Sequence, residues 1–242
     1  MTTLVKFTVA VILSLMLMSC NFDMNFGTGV KGNGNVSTVE RNVQGDFNQI
    51  EVSRGLDVYL TQSDSPMLKV QADENLHDII ITEIENGILR IYAEENISYA
   101  QAQKVMVNVK DLNYIISESG SDLYSTNTII ADNLKLVTTS GADMDINIEV
   151  NDVTCISKSG SDLKVSGTTN NLTAEASSGS DLKAGKLKAQ NCVAEASSGA
   201  DITVYSEVKL RANANSGGDI KYYGNPKTVK KSDGVSGDIR KM

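Results

Sequence analysis

The sequence predicts an all-β chain wound into a right-handed single-stranded parallel β-helix, a solenoid with an irregular β-rich cap on its N-terminal side. Three observations carry that expectation. One phrase recurs seven times: Ser119-Gly120-Ser121-Asp122, Ser140-Gly141-Ala142-Asp143, Ser159-Gly160-Ser161-Asp162, Ser178-Gly179-Ser180-Asp181, Ser198-Gly199-Ala200-Asp201, Ser216-Gly217-Gly218-Asp219 and a contracted Ser236-Gly237-Asp238. Its glycines stand 21, 19, 19, 20, 18 and 20 residues apart, and a unit of that size at near-fixed spacing buries its apolar face only against neighbouring copies. Between the corners, small or apolar residues alternate with polar ones at period two, and nothing from Ser119 to Met242 repeats near 3.6 over three turns. Parallel crossovers within one sheet set the right hand.

Along the chain, residues 1–19 carry a single Lys6 and an apolar run from Phe7 to Met18, which reads as a secretory signal. The run is shorter than the ~20 apolar residues a spanning helix needs. Leu17, Met18 and Ser19 before Cys20 resemble the lipobox of bacterial lipoproteins, with Met18 an unusual occupant. The resemblance implies cleavage before Cys20 and acylation there, so that the membrane partner is reached through a lipid anchor; each buried CH₂ contributes ~0.8 kcal/mol. Residues 20–35, with four glycines and several asparagines, read as a lipidated flexible stalk. Asn21, rather than the Asp of inner-membrane retention signals, favours the outer membrane within the cell envelope.

Residues 36–118 form the β-rich N-terminal part, residues 119–242 the Ser-Gly-x-Asp rungs and C-terminal end, and 36–242 one continuous domain. Phe47 to Ile50, Asp57 to Leu60 and Met67 to Ala72 alternate like strands. Asn86-Gly87 between Ile79–Ile84 and Ile88–Tyr92 predicts a two-residue hairpin, because both central residues must tolerate positive φ. Such a cap covers a rung edge that otherwise invites aggregation. In the repeats the parity places Ser159, Ser161, Leu163, Val165, Leu172, Ala174, Ala176, Ser178, Ser180, Leu182, Ala184, Ala194, Ala196, Ser198, Ala200, Ile202 and Val204 inside, with Glu175, Asp181 and Lys183 outside. Gly120, Gly141, Gly160, Gly179, Gly199, Gly217 and Gly237 are read as structural corners where the backbone closes on the core. Tyr222, Tyr223, Pro226, Lys230 and Lys231 blunt the far edge.

Composition narrows the partners. A formal charge of −8 argues against nucleic acid, which needs clustered cations to neutralise phosphates. Cys155 and Cys192 fall on rungs one full copy apart with an offset along the strand, too distant for a disulfide and suited to the interior.

The Phe47-Asn48-Gln49-Ile50-Glu51-Val52 opening, Gly55-Leu56-Asp57-Val58, the Asn-Gly hairpin and the run of Ser-Gly-x-Asp corners together resemble the head-GIN-domain family of auto-transporter adhesins, over roughly Phe47 to Gly224. That resemblance implies a β-helix at the cell envelope with a binding role and brings no catalytic residues.

The aspartates Asp122, Asp143, Asp162, Asp181, Asp201, Asp219 and Asp238 are expected to form an outward row. Like charges about 5 Å apart in water cost somewhat under ~1 kcal/mol per pair, so the row needs compensation. Two compensations are open: each Asp accepts an N–H of its own corner, the preferred reading, or stacked carboxylates hold Ca²⁺. No cofactor is expected. Enzymatic β-helices that cleave acidic polysaccharides need basic or paired acidic groups. Here the single His77 reads as a solvated turn, and only Arg54, Arg90 and Arg211 lie in the body, so no catalytic residue is assigned. The expected function is a lipid-anchored, non-catalytic surface-binding module with a glycan or protein ligand. A polysaccharide lyase or hydrolase and a structural scaffold are the rivals. Tyr59, Tyr92, Tyr124 and Tyr205 are the aromatic residues that could stack on sugars.

Overall fold

A run of residues alternating in and out has one dry face, and a rung of such strands buries that face only when another rung lies above and below it. The computed structural model, which describes residues 29–42, 45–234 and 236–242, has that arrangement. Its strands in chain order are β1 (Val30–Lys31), β2 (Val36–Glu40), β3 (Gln49–Val52), β4 (Asp57–Gln62), β5 (Met67–Asp73), β6 (Ile80–Glu85), β7 (Ile88–Ala93), β8 (Ile97–Tyr99), β9 (Gln103–Val109), β10 (Tyr114–Glu118), β11 (Asp122–Thr139), β12 (Asp143–Lys158), β13 (Asp162–Ser177), β14 (Asp181–Ser197), β15 (Asp201–Ala214), β16 (Asp219–Tyr223), β17 (Thr228–Asp233) and β18 (Asp238–Lys241). One turn of 3₁₀ helix, Glu74–Leu76, follows β5. The segment read as a signal, Cys20 and the first residues read as a stalk lie outside the described residues.

From β10 onward every strand pairs in parallel with its counterpart one rung away. The column Val58, Leu123, Met144, Leu163, Leu182, Ile202, Ile220 and Ile239 runs down the interior, each in register with the next and each buried. Truncating one such residue to Ala typically costs ~2–5 kcal/mol, the lost transfer energy plus the cavity left behind. Cys155 and Cys192 are buried and unbridged. Burial in this dry interior pushes the Cys192 thiol up to about 12 and the Cys155 thiol higher still.

The corners differ in detail from the expectation. Ser159, Ser178 and Ser198, expected inside, are exposed, because Ser and Gly are the two central residues of a type I′ turn that bulges outward. Ser159 has φ of +56° and Gly160 +68°, and a Cβ built on Gly160 meets nothing within 4 Å. Glycine is therefore required for its left-handed backbone rather than for lack of room. Gly120, Gly141, Gly179, Gly199 and Gly217 repeat this conformation. Gly237 is displaced by one position, since its N–H closes the turn to Gly234 O at 3.3 Å, the place taken elsewhere by Ser121 or Gly218, and Ser236 holds the positive φ.

The repeat also begins earlier than Ser119. Arg54 (φ +62°) and Gly55 (φ +75°) make the same turn, and Asp57 pairs with Asp122. The chain then leaves the stack: β7 and β9 form a rung beyond β3 and β4, pairing with them in parallel. The cap follows outside it, with β6 antiparallel to β7, β5 antiparallel to β9, and β2 antiparallel to β5. Asn86 and Gly87, at φ +53° and +79°, join β6 to β7 as the expected hairpin. Residues assigned to the stalk belong partly to this cap: β1 pairs with β8, and Gly34 N–H donates to Asp73 Oδ2 at 2.8 Å. Burial pushes the pKa of Asp73 up, but the N–H groups of Gly34, Ala102 and Gln101 outweigh it and hold the carboxyl below its ordinary value. At the other end Lys231 lies over the Tyr222 ring at 4.9 Å and donates to Ile239 O, while β17 is exposed along its length.

Candidate binding face

One outer leg of the solenoid gathers most of the residues singled out from the sequence. Starting at each turn, the first outward position holds Asp57, Asp122, Asp143, Asp162, Asp181, Asp201, Asp219 and Asp238 in one continuous register. The column is one longer than the sequence phrase indicated. Two residues on, the next outward column reads Tyr59, Tyr124, Asp145, Lys164, Lys183, Thr203, Lys221 and Arg240. Neighbouring columns on a parallel sheet are within side-chain reach, so the second column decides how the first is neutralised.

The aspartates do not cap their own corners. The turn N–H groups are already bonded along the stack: Gly160 N to Ser178 O at 3.1 Å, Asp162 N to Ala142 O at 3.1 Å, and likewise at the other corners. The carboxylates instead meet cations. Lys183 bridges Asp162 at 3.0 Å and Asp181 at 3.1 Å, Lys221 reaches Asp201 at 3.6 Å, and Arg240 lies between Asp219 and Asp238. Those bonds to Asp162 and Asp181 raise the Lys183 pKa.

The N-terminal end of the same column has no such support, because Tyr59, Tyr124 and Asp145 stand where the lysines would be. Lys164 pairs with Asp145. The pKa of Asp122 is raised, first by burial and then by the charge of Asp57, against a hydrogen bond from Tyr124. Asp143 is raised by burial and by Asp122 and Asp162, and Asp57 by burial against the nearby Lys104. The same surroundings push the Tyr124 hydroxyl up to about 12, burial first and Asp122 second. Among the described residues no three His, Cys, Asp or Glu side chains come together in a way that could hold a metal ion.

The tyrosines divide into two groups. Tyr59 and Tyr124 stack with centroids 5.5 Å apart at the acidic end. Tyr205 and Tyr223, in register on β15 and β16, line a cleft of about 570 Å³ with Lys164, Lys183, Lys186 and Gly185. Tyr92 lies apart, bonded to Glu83 at 3.1 Å with Arg54 over its ring. His77, expected in a solvated turn, is half-buried, with Nε2 3.0 Å from Ser37 Oγ and its carbonyl accepting from Arg41. Arg54 donates to the carbonyls of Ala93 and Glu94. Arg90 lies 3.1 Å from Glu85 and 3.2 Å from Glu51, the latter too bent to be a hydrogen bond. Arg211 is exposed.

Fold and face together define a capped parallel β-solenoid whose outside carries columns of matched side chains. The chain belongs to the family described as "Putative auto-transporter adhesin, head GIN domain", whose profile matches residues 46–226. Its fold is shared by solved structures of a putative adhesin from Bacteroides fragilis NCTC 9343 (22% identity, 88% of this chain and 100% of that one, TM-score 0.82) and a putative lipid binding protein from Parabacteroides distasonis ATCC 8503 (24% identity, 88% and 99%, TM-score 0.72). A putative adhesin from Parabacteroides merdae ATCC 43184 is similar as well (20% identity, 88% and 98%, TM-score 0.70). No curated protein matches the chain.

Proposed function

We propose that this protein is a non-catalytic surface-binding module of the cell envelope, tethered by lipid at Cys20 and binding through the outer faces of its solenoid rather than through an enclosed site. The observation that carries the reading is the unbroken register of eight aspartates with their lysine, arginine and tyrosine neighbours. It displays chemically matched groups at one rung spacing, about 4.8 Å, over the length of the stack, which suits a long or repetitive ligand. Membership in an adhesin family points the same way, as do the adhesin names of two structural neighbours. The non-catalytic reading draws on the surface hollow lined by Glu51, Glu83 and Glu118, where two of the three carboxylates are engaged, Glu83 by Tyr92 and Glu51 by Arg90.

The test is a deletion strain complemented with the full chain or with Cys20→Ala. Complementation by the full chain is expected to restore attachment of cells to glycan-coated and protein-coated surfaces. The Cys20→Ala form is expected to leave the membrane fraction and fail to restore it. Unchanged attachment in the deletion strain overturns the binding role. A membrane-bound Cys20→Ala form overturns the tether, and turnover of an acidic polysaccharide by the purified protein overturns the non-catalytic reading.

A further inference from the structure

Tyr223 begins two rungs below Gly185 and lies across the intervening rung. A Cβ built on Gly185 would stand 3.4 Å from both Cδ2 and Cε2 of its ring and 3.0 Å from the Thr203 methyl. The absent side chain at Gly185 therefore gives the ring a seat against backbone, and Tyr223 is 40% exposed there. Tyr205, Thr203 and Val165 continue the apolar wall, and the cationic residues of the cleft are Lys164, Lys183 and Lys186. No aspartate or glutamate lines it, although the chain as a whole carries a charge of −8. Lys164 and Lys183 are fixed by ion pairs with Asp145, Asp162 and Asp181. Lys186 makes no ion pair among the described residues and is exposed.

We propose that the Tyr205–Tyr223 cleft is a binding site for an acidic polysaccharide, with the apolar face of a pyranose ring against Tyr223 and its carboxylate at Lys186. This rests on the surface-binding reading above and gives it a site and a ligand class. The cleft's volume of about 570 Å³ falls in the range of ligand sites, roughly 300–1,000 Å³, but it is open along the side of the solenoid. An acyl chain in an open cleft would stay wetted. A uronate ring has one apolar face for an aromatic side chain, polar edges that remain in water, and a charge that complements the lysines.

The experiment measures binding of the folded protein to polygalacturonate and to uncharged dextran by affinity electrophoresis, and to phosphatidylglycerol vesicles by co-sedimentation, for wild type, Tyr223→Ala, Lys186→Glu and Tyr99→Ala, with melting temperatures recorded for each. Expected are polygalacturonate binding that weakens at high salt, no dextran binding, and a loss of about tenfold in Tyr223→Ala, the size of one aromatic contact. Lys186→Glu, an exposed substitution that leaves folding intact, is expected to lose at least as much, and Tyr99→Ala, on the cap strand β8 and outside the cleft, nothing. Polygalacturonate binding that survives both cleft substitutions overturns the cleft as its site while leaving the surface-binding reading in place. Absence of polygalacturonate binding overturns the proposal, as does binding only to phosphatidylglycerol vesicles. If attachment of cells also proves independent of the protein, the wider reading falls with it.

Discussion

A serine at φ +56° followed by a glycine at φ +68° makes the Ser159-Gly160 corner of this solenoid, and the glycines at positions 160 and 167 of that repeat place different demands on their surroundings. At Gly160 an added Cβ enters open space, so Gly160→Ala pays only the left-handed backbone penalty of an L-residue, ~1–2 kcal/mol. At Gly167, φ +115°, the same methyl would stand 1.9 Å from Ile148 O on the neighbouring rung, and the rungs must part. Urea unfolding is expected to rank Gly167→Ala well below Gly160→Ala in stability; equal losses would mean that the bend at Gly167 yields without cost. The glycine spacing announced the first of the two in the sequence. Gly167 gave no signal there, because its demand comes from a carbonyl 19 residues earlier in the chain.

Columns of side chains are the units at the scale of elements, and the aspartate column is compensated at one end only. The folded-state pKa of Asp122 lies above its ordinary value near 3.8. For a carboxylate the sign of that shift means that ionisation opposes folding: the cost is absent below the unfolded pKa and complete above the folded one. Asp122→Asn is therefore expected to stabilise the protein at pH 7 by up to ~1 kcal/mol, the scale of one screened like-charge pair, and the gain should vanish as pH falls below about 3.8. Asp181→Asn instead removes a half-exposed partner of Lys183, a loss of under ~1 kcal/mol. Urea midpoints of both variants at pH 7 and pH 3.5 check the pair, and a destabilised Asp122→Asn at pH 7 would contradict it. The column itself was legible from the repeating Asp, but its neutralisation was not, since Lys183 reaches Asp162 across a rung boundary. A second corner was also readable and missed: Asp132-Asn133, Asn151-Asp152, Asn170-Asn171 and Gln190-Asn191 recur at the repeat spacing. Their amides stack, as from Asn171 to Asp152 at 2.7 Å and from Asn191 to Asn171 at 3.0 Å.

Across the whole molecule, each rung contacts chiefly its neighbours, so stability is close to a sum of rung and interface terms. In the N-terminal part the strands and the Asn86-Gly87 hairpin were legible but the rung order was not, because it departs from chain order: β7 and β9 lie beyond β3 and β4, and only tertiary pairing reveals that. In the regular part, order and register coincide, which permits a surgical test. Ser161 and Ser180 occupy equivalent buried positions before Asp162 and Asp181, so removing residues 162–180 joins Ser161 to Asp181 and takes out one complete turn. The shortened chain keeps the interior columns in register, with β12 meeting β14 as β13 met it, the one-residue bulge between Lys183 and Lys186 included. It is expected to show the same β-type circular dichroism and a single cooperative unfolding transition at lower denaturant. Removing residues 162–171 deletes half a turn and joins Ser161 to Leu172, which sets strand legs against the wrong partners and leaves the corner without its aspartate. That chain is expected to lose cooperative unfolding altogether. If both deletions unfold alike, the rungs are not interchangeable units, and the stacking physics invoked for this solenoid would have to give way to contacts specific to each turn.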